Sequence, residues 1–269
     1  MITYFINNFV SLCHTNDTLT EDTRLKRFAF LLLFVTSLLL SFGCCTNANN
    51  FNSAKIDLID HLKDSTAALV IKADNGAYMP FCSAVWINKT DMVTAKHCVA
   101  DDDDEDKVTL NAIVEFQIYK DFDNTYPYSK NKKAYLATVI AAGKENEDLA
   151  ILRSIDLVEH GIATIATYEP KSGQVAHHIG HPRALQWSYI RTYVSEPRIL
   201  DVEDGRKRHM LNLVGFVWKG SSGGGAFDNG GNLLGICSWL LPAPGQTAFV
   251  HVDVVREVLK RNKIQYYVN

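Results

Sequence analysis

"VWKGSSGGGAFDNGGNLLGICSW", residues Val217 to Trp239, sets two adjacent serines ahead of three glycines, then a turn and an apolar strand. Glycine serves backbone that must bend unusually or approach another group closely. A serine in such a loop is either a turn former or a nucleophile. On its own, G-x-S-x-G fits many glycine-rich loops by chance.

The neighbouring texture is one of strands. From about Ala54, short apolar runs alternate with turn signals. "AALVIKADNGAYMPFCSAVWI" carries two strand-like runs around Asn75-Gly76, a strong short hairpin signal. "MVTA", "KVTLNAIVEFQIY", "AYLATVIAA", "LAILR", "GIATIATY" and "QVAHHIG" continue the series, and "NLVGFVW", "GNLLGICSWLL" and "TAFVHV" complete it. Such a series predicts an antiparallel sandwich or barrel. No βαβ alternation and no repeat of about 20–50 residues is visible. Only the end reads as helical: in "DVVREVLKRNK", Asp253 is placed to cap, and Val254, Val255, Val258 and Leu259 form one apolar stripe. "EPKSG" (Glu169 to Gly173) reads as a linker between two halves of similar size. The body is expected to be all-β, in two halves, with a terminal helix.

The chain has 269 residues, 47% of them hydrophobic, enough for one substantial domain or two small cores. A net charge of −3 gives no sign of nucleic acid or of an anionic membrane surface as partner. The N-terminus is a different material. Arg24, Lys26 and Arg27 precede an uncharged apolar run, Phe28 to Cys45, and an Asn-rich stretch follows. A basic flank before an apolar run is the pattern of export or anchoring. A cleaved signal, a lipoprotein with Cys44 as the modified residue, and an uncleaved anchor all remain open. Cys82, Cys98 and Cys237 lie in the body, where an oxidising compartment would let one pair join.

Acyl-transfer hydrolysis needs an activated nucleophile, a base, a group that orients the base, and donors for the oxyanion. Three separate places offer parts. "VTAKHCV" puts His97 at a strand end beside Cys98, "NEDLAILR" puts Asp148 before an apolar strand, and "GSSGGG" offers Ser222. Taken singly, each is more often a packed histidine, a turn aspartate and a glycine-rich loop.

Together they resemble the trypsin-like (chymotrypsin-fold) serine peptidases, including the bacterial HtrA-like branch. "CSAVWINKTDMVTAKHC" is similar to the family's Cys-strand-turn-strand-"TAAHC" segment, with Lys96 where alanine is usual. "DLAILR" resembles its Asp segment, "GSSGGG" matches "GDSGGP" at four of six positions, and "GICSW" is similar to the "GIVSW" that follows. The order His, Asp, Ser agrees, and the resemblance runs from about Ala54 to Asn269.

The resemblance implies two antiparallel six-stranded β-barrels and a C-terminal helix. It implies a hydrolase in which Ser222 is nucleophile, His97 general base and acid, and Asp148 the residue that fixes the His97 tautomer. It makes Gly220 and Ser222 the oxyanion donors and Cys82–Cys98 a disulfide closing the histidine loop. Ser238 would support Asp148, and the "CSW" strand would pair with a bound peptide. Phe216 is expected near the base of the specificity pocket and Leu240 at its wall, with Ser238 and Trp239 among the substrate-binding residues. No acidic residue stands at that base, so a small or medium apolar residue is expected before the cut. No cofactor and no metal are implied.

Several positions depart from the family pattern. Ser221 stands where digestive enzymes carry an Asp that pairs with a freed N-terminal amine, so activation without zymogen processing is expected. Gly225 replaces a proline. "DDDDEDK" (Asp101 to Lys107) is read as a solvated loop rather than a calcium site, and "HHIGH" (His177, His178, His181) as structure rather than zinc ligands. Asn88-Lys89-Thr90 is a formal glycosylation acceptor.

The expected organisation is a leader over 1–45 with its apolar part at 28–45, a tether over 46–55, and a peptidase domain over 56–269. Within the last, the first barrel is expected at about 62–165, the second at about 172–252 and the helix at 253–263. No peptide-binding (PDZ) domain like that of HtrA enzymes is expected after the helix. The expected protein is a monomer acting on peptide or protein substrates outside the cytoplasm, with no nucleic-acid partner and membrane contact only through the N-terminal segment. The alternative is a catalytically silent peptide-binding protein on the same scaffold.

Overall fold

The series of short strands becomes two closed barrels in the computed structural model, which describes residues 57–101, 104–122, 133–201, 207–215, 217–240 and 245–269. The apolar segment 28–45, the stretch 46–55 and Phe216 lie outside these residues. A short helix, α1 (57–64), precedes the first strand and is absent from the expected elements. It has one fully buried apolar side chain, Leu62, too little to mark a stripe. Its last turn is closed by Ser65 and Thr66, whose hydroxyls both donate to Leu62 O.

β1 (Thr66–Lys72) and β2 (Tyr78–Trp86) form the expected hairpin. Gly76, at φ +80°, donates to Ala73 O, and Asn75 Oδ1 accepts from Ala77 N. β3 (Asp91–Thr94) runs into a 3-10 turn over Lys96–Cys98. The acidic run is then not a plain loop: β4 (Ala100–Asp101) pairs with β5 (Asp104–Val108) as a two-stranded ribbon. Asp101 accepts from Thr109 Oγ1 and lies 3.3 Å from Lys107 Nζ, so part of its charge is paired locally. β6 (Ile113–Ile118), β7 (Tyr135–Ala142) and β8 (Ala150–Ser154) follow. The order β1-β2-β3-β8-β7-β6 is a closed barrel. Leu69, Trp86, Met92, Phe116, Val139 and Leu152 fill it, with Trp86 edge-on to Phe116 at 5.5 Å.

β9 (Thr164–Ile165) is all that "GIATIATY" yields as strand. β10 (Val175–Gly180), β11 (Ser188–Asp201), β12 (Lys207–Val214), β13 (Gly225–Phe227), β14 (Asn232–Leu240) and β15 (Gln246–His251) build the second barrel. Its antiparallel order is β10-β11-β12-β15-β14-β13, closed because β13 pairs with both β14 and β10. Two six-stranded barrels are thus present, as expected. β9 runs parallel to β14, so residues 164–165 join the second sheet, and the first barrel's last strand ends at Ser154 rather than near 165.

β11, the longest strand, is missing from the expected series. It is polar and holds Pro197, which a regular central ladder cannot accommodate. Three register shifts against β12, between Val194 and Asp201, absorb the irregularity. Phe227, Leu234, Ile236 and Phe249 pack the second core. α2 (Val252–Arg261) closes it from one end. Its N-cap is His251, not Asp253: β15 runs straight into the helix, and the His251 side chain accepts from Asp253 N. The buried stripe is Val252, Val255, Val258 and Leu259, with Val254 only half-buried.

Candidate active site

His97 is held by three ties. Its 3-10 turn continues β3, Cys98 is disulfide-bonded to Cys82 on β2, and its neighbour Lys96 is buried. Lys96 Nζ donates to Lys144 O at 3.2 Å, joining the turn to the loop that delivers Asp148. That loop is tied to α2 through Glu147, which pairs with Arg261. Asp148 therefore reaches His97 between two anchored segments.

Asp148 is 5% exposed and spends both carboxylate oxygens. Oδ1 accepts the His97 backbone N–H at 3.0 Å, and Oδ2 lies 2.8 Å from His97 Nδ1 and accepts from Ser238 Oγ. Burial by itself pushes its pKa up. The His97 hydrogen bond and charge, the Ser238 hydroxyl and the His97 N–H outweigh burial and hold it below the usual carboxylate range. An ionised carboxylate only accepts, so His97 carries its proton on Nδ1 and offers Nε2 as a base.

The glycine-rich loop is two consecutive turns. Ser221 N donates to Trp218 O with Gly220 in third place at φ +101°, and Gly224 N donates to Ser221 O with Gly223 in third place at φ +83°. Positive φ at that place is the type II turn geometry that glycine supplies. Space demands glycine too: a Cβ on Gly220 would meet His181 O at 2.3 Å, and one on Gly223 would meet Ser83 O at 2.0 Å.

The loop's backbone groups can be followed one by one. Lys219 O accepts from Arg183 N, Gly220 O from Ser83 Oγ, Ser221 O from Gly224 N and Ser222 O from Ser83 N. Gly223 N donates to Cys237 O. Within 220–224, the N–H groups of Gly220 and Ser222 are the two without an acceptor among the described residues.

Ser222 and Ser238 line one cavity of about 270 Å³, together with Val217, Trp218, Lys219, Cys237 and Trp239. Ser238 bonds Asp148, and Asp148 bonds His97, so the second barrel's cavity and the first barrel's His–Asp pair meet at one place. On the β13 side of β14 the ladder ends at Ile236, with Cys237 bonded to Gly223 and Gly224. Ser238 to Leu240 have no strand on that side among the described residues. Cys237 is buried and free, and burial pushes its thiol up, as expected for a small hydrophobe. Phe216 and the Leu240 side chain lie outside the described residues. Val217, Trp218 and Lys219 join the cavity without any signal in the local pattern.

The other candidate ligands are committed elsewhere. Cys82, His97 and Cys98 come together, but the two sulfurs are a disulfide and offer no thiolate. His177 bonds Tyr189 and Asn229, His178 bonds Gly225 O and His181 bonds Ser83, so "HHIGH" does not converge on one point. Glu169, His209 and His251 also gather. The two rings are stacked at 4.1 Å and 17° between planes, so their lone pairs lie in two nearly parallel planes. His251 Nδ1 already accepts from Asp253 N, which puts its proton on Nε2. That set does not fit a metal. Asn88 is likewise occupied, its amide donating to Asp91 and Gln265 O.

Two barrels, a carboxylate–imidazole pair and a serine on a glycine-turned loop define the chymotrypsin-like serine proteases. A family model described as a trypsin-like peptidase domain matches residues 82–236, and the chain belongs to that family: it is a serine protease. No curated protein matches it by sequence. Among solved structures it is similar to the active form of the Rv3671c protease from M. tuberculosis, with a TM-score of 0.58 at 17% identity, covering 79% of this chain and 86% of that one. An inactive serine-to-alanine form of the same protease gives 0.57 at 16% identity, over 77% and 90%. At this identity the likeness is one of fold.

Proposed function

We propose that the protein is an endopeptidase that cleaves peptide bonds through an acyl-enzyme on Ser222. The observation that carries this reading is the Asp148 hydrogen bond to His97 Nδ1 together with the backbone N–H groups of Gly220 and Ser222, which have no acceptor among the described residues. A substrate strand pairs with the open side of β14 at Ser238–Leu240, which recognises backbone and leaves selection to the cavity. His97 Nε2 takes the Ser222 proton as Oγ attacks the carbonyl carbon, and then gives it to the leaving amine. The tetrahedral oxygen receives the Gly220 and Ser222 N–H groups, each donor worth about 10²–10³ in rate. Water, deprotonated by His97, then hydrolyses the acyl-enzyme.

Val217, Trp218, Cys237 and Trp239 favour an apolar residue before the cut, and no acid lines the cavity among the described residues. The Cys82–Cys98 disulfide fits an oxidising compartment, and the apolar run 28–45 fits an export signal or anchor, so we place the domain outside the cytoplasm. Digestion of a peptide library by wild type and Ser222→Ala, read by mass spectrometry of the new termini, tests the reading. The expected result is cleavage after apolar residues by wild type alone. Cleavage dominated by Arg or Lys would overturn the pocket reading, and identical products from Ser222→Ala would overturn the nucleophile.

A further inference from the structure

Ser83 lies on the first barrel's β2, beside Cys82, yet it grips the second barrel's loop twice. Its backbone N–H donates to Ser222 O at 2.7 Å, and its hydroxyl donates to Gly220 O at 3.0 Å. A carbonyl only accepts, so the single Ser83 hydroxyl proton points at Gly220. Ser83 Oγ must then accept from its other neighbour, His181 Nδ1, at 2.8 Å. The chain of donation is fixed: His181 Nδ1–H to Ser83 Oγ–H to Gly220 C=O.

His181 is held for that task. It is fully buried, its ring stands edge-on to Trp187 at 4.8 Å, and its own carbonyl packs against the Gly220 Cα. Trp187 Nε1 in turn donates to Thr66 O. His181 Nε2 has no hydrogen-bond partner among the described residues, which matches the tautomer with the proton on Nδ1. Burial, with His178 nearby, pulls its pKa down to about 3, so the imidazole stays neutral through ordinary pH.

We propose that Ser83 and His181 are positioning residues of the oxyanion hole, acting through the Gly220–Ser221 peptide. That peptide lies between the two donating N–H groups and is fastened at both ends, its C=O by Ser83 and its N–H by Trp218 O. Two fastened ends leave it no rotation that would turn the Gly220 and Ser222 N–H groups away from the reacting carbonyl. Removing the Ser83 hydroxyl strands a buried carbonyl, which regains a donor only by rotating, and that rotation moves the adjacent N–H groups. The inference rests on the endopeptidase reading above.

The test compares wild type with Ser83→Ala, His181→Asn, His181→Leu and the Ser83→Ala/His181→Leu pair. The readouts are kcat and KM on one peptide amide, and Ki for a peptide boronate and for a product peptide. Ser83→Ala is expected to lower kcat about 10- to 100-fold, to weaken the boronate by the same factor, and to leave KM and product affinity near wild type. Asn keeps a donor in place of Nδ1, so His181→Asn is expected within about 3-fold of wild type. His181→Leu should match Ser83→Ala, and the pair should be no worse than Ser83→Ala, because both act through one hydrogen bond. A merely structural role lowers thermal stability without separating boronate from product affinity. Should His181→Leu fail to fold, Ser83→Ala and His181→Asn carry the comparison alone. Ser83→Ala with wild-type kcat and boronate affinity overturns the proposal while the endopeptidase reading stands. A folded wild type that cleaves nothing overturns that reading, and this inference with it.

Discussion

Asp148 carries the heaviest duty of any single residue. It must stay charged while 5% exposed, and the His97 and Ser238 bonds are what keep it so. Asp148→Asn keeps the shape but presents either a donor or a weaker acceptor to Nδ1, which favours the wrong histidine tautomer. A loss of about 10⁴ in kcat is expected, measured on a peptide amide at saturating substrate. Ser238→Ala removes one bond to the same charge and is expected to cost only about 10- to 100-fold. Equal losses in the two variants would contradict this division of roles. At this scale the site was half legible. His97, Asp148 and Ser222 each sit in a short segment whose pattern could be read. Ser83 and His181 could not be found, because they are 98 positions apart and their partnership exists only once the barrels meet.

Among the elements, the histidine turn depends on its disulfide and the serine loop on its two glycine turns. The bridge spans a sequence separation of 16, so replacing both cysteines by alanine is expected to cost about 3 kcal/mol, read by denaturant unfolding. Activity should fall further than stability, because the same bridge holds the turn carrying His97. The serine loop holds Ser221, buried, with no hydrogen-bond partner for its hydroxyl among the described residues and no acid to attract a freed amine. Proteins beginning at different residues before Ala54 are therefore expected to have equal kcat/KM, and dependence on one particular N-terminus would contradict it. The hairpin at Asn75-Gly76 was readable because its turn chemistry is local. β11 was not, because its pairing tolerates Pro197 only through register shifts imposed by β12. The helix cap moved from Asp253 to His251 for a similar reason: tertiary continuity with β15 set the start.

For the whole molecule, pH should act through buried imidazoles. Burial pulls His178 to about 4 and His181 to about 3, both from an ordinary value of 6.5. The unfolded chain protonates these groups below about pH 6.5 and the native protein does not, so unfolding near pH 5 takes up about two protons from this pair. Their contribution is complete above pH 6.5 and is lost as pH falls toward 4. Stability is expected to drop across that window, at a slope of about 1 kcal/mol per pH unit for each imidazole, apart from other groups. Asp148, with its lowered pKa, adds a loss only below the ordinary carboxylate range. Thermal unfolding between pH 7.5 and 4.5 checks this, and a Tm unchanged from pH 7 to 5 would contradict it. The two-barrel architecture was legible because it repeats one local pattern many times. The closure of each barrel was not, since β13 with its three residues carries too little pattern to be seen alone.

Active-site labelling comes first. The oxidised protein, treated with a fluorophosphonate probe and mapped by mass spectrometry, is expected to carry one adduct, on Ser222, absent from Ser222→Ala and His97→Ala. A folded protein with its Cys82–Cys98 bridge intact that takes no label, or takes it elsewhere, would contradict the assembled nucleophile and favour a silent peptide-binding scaffold.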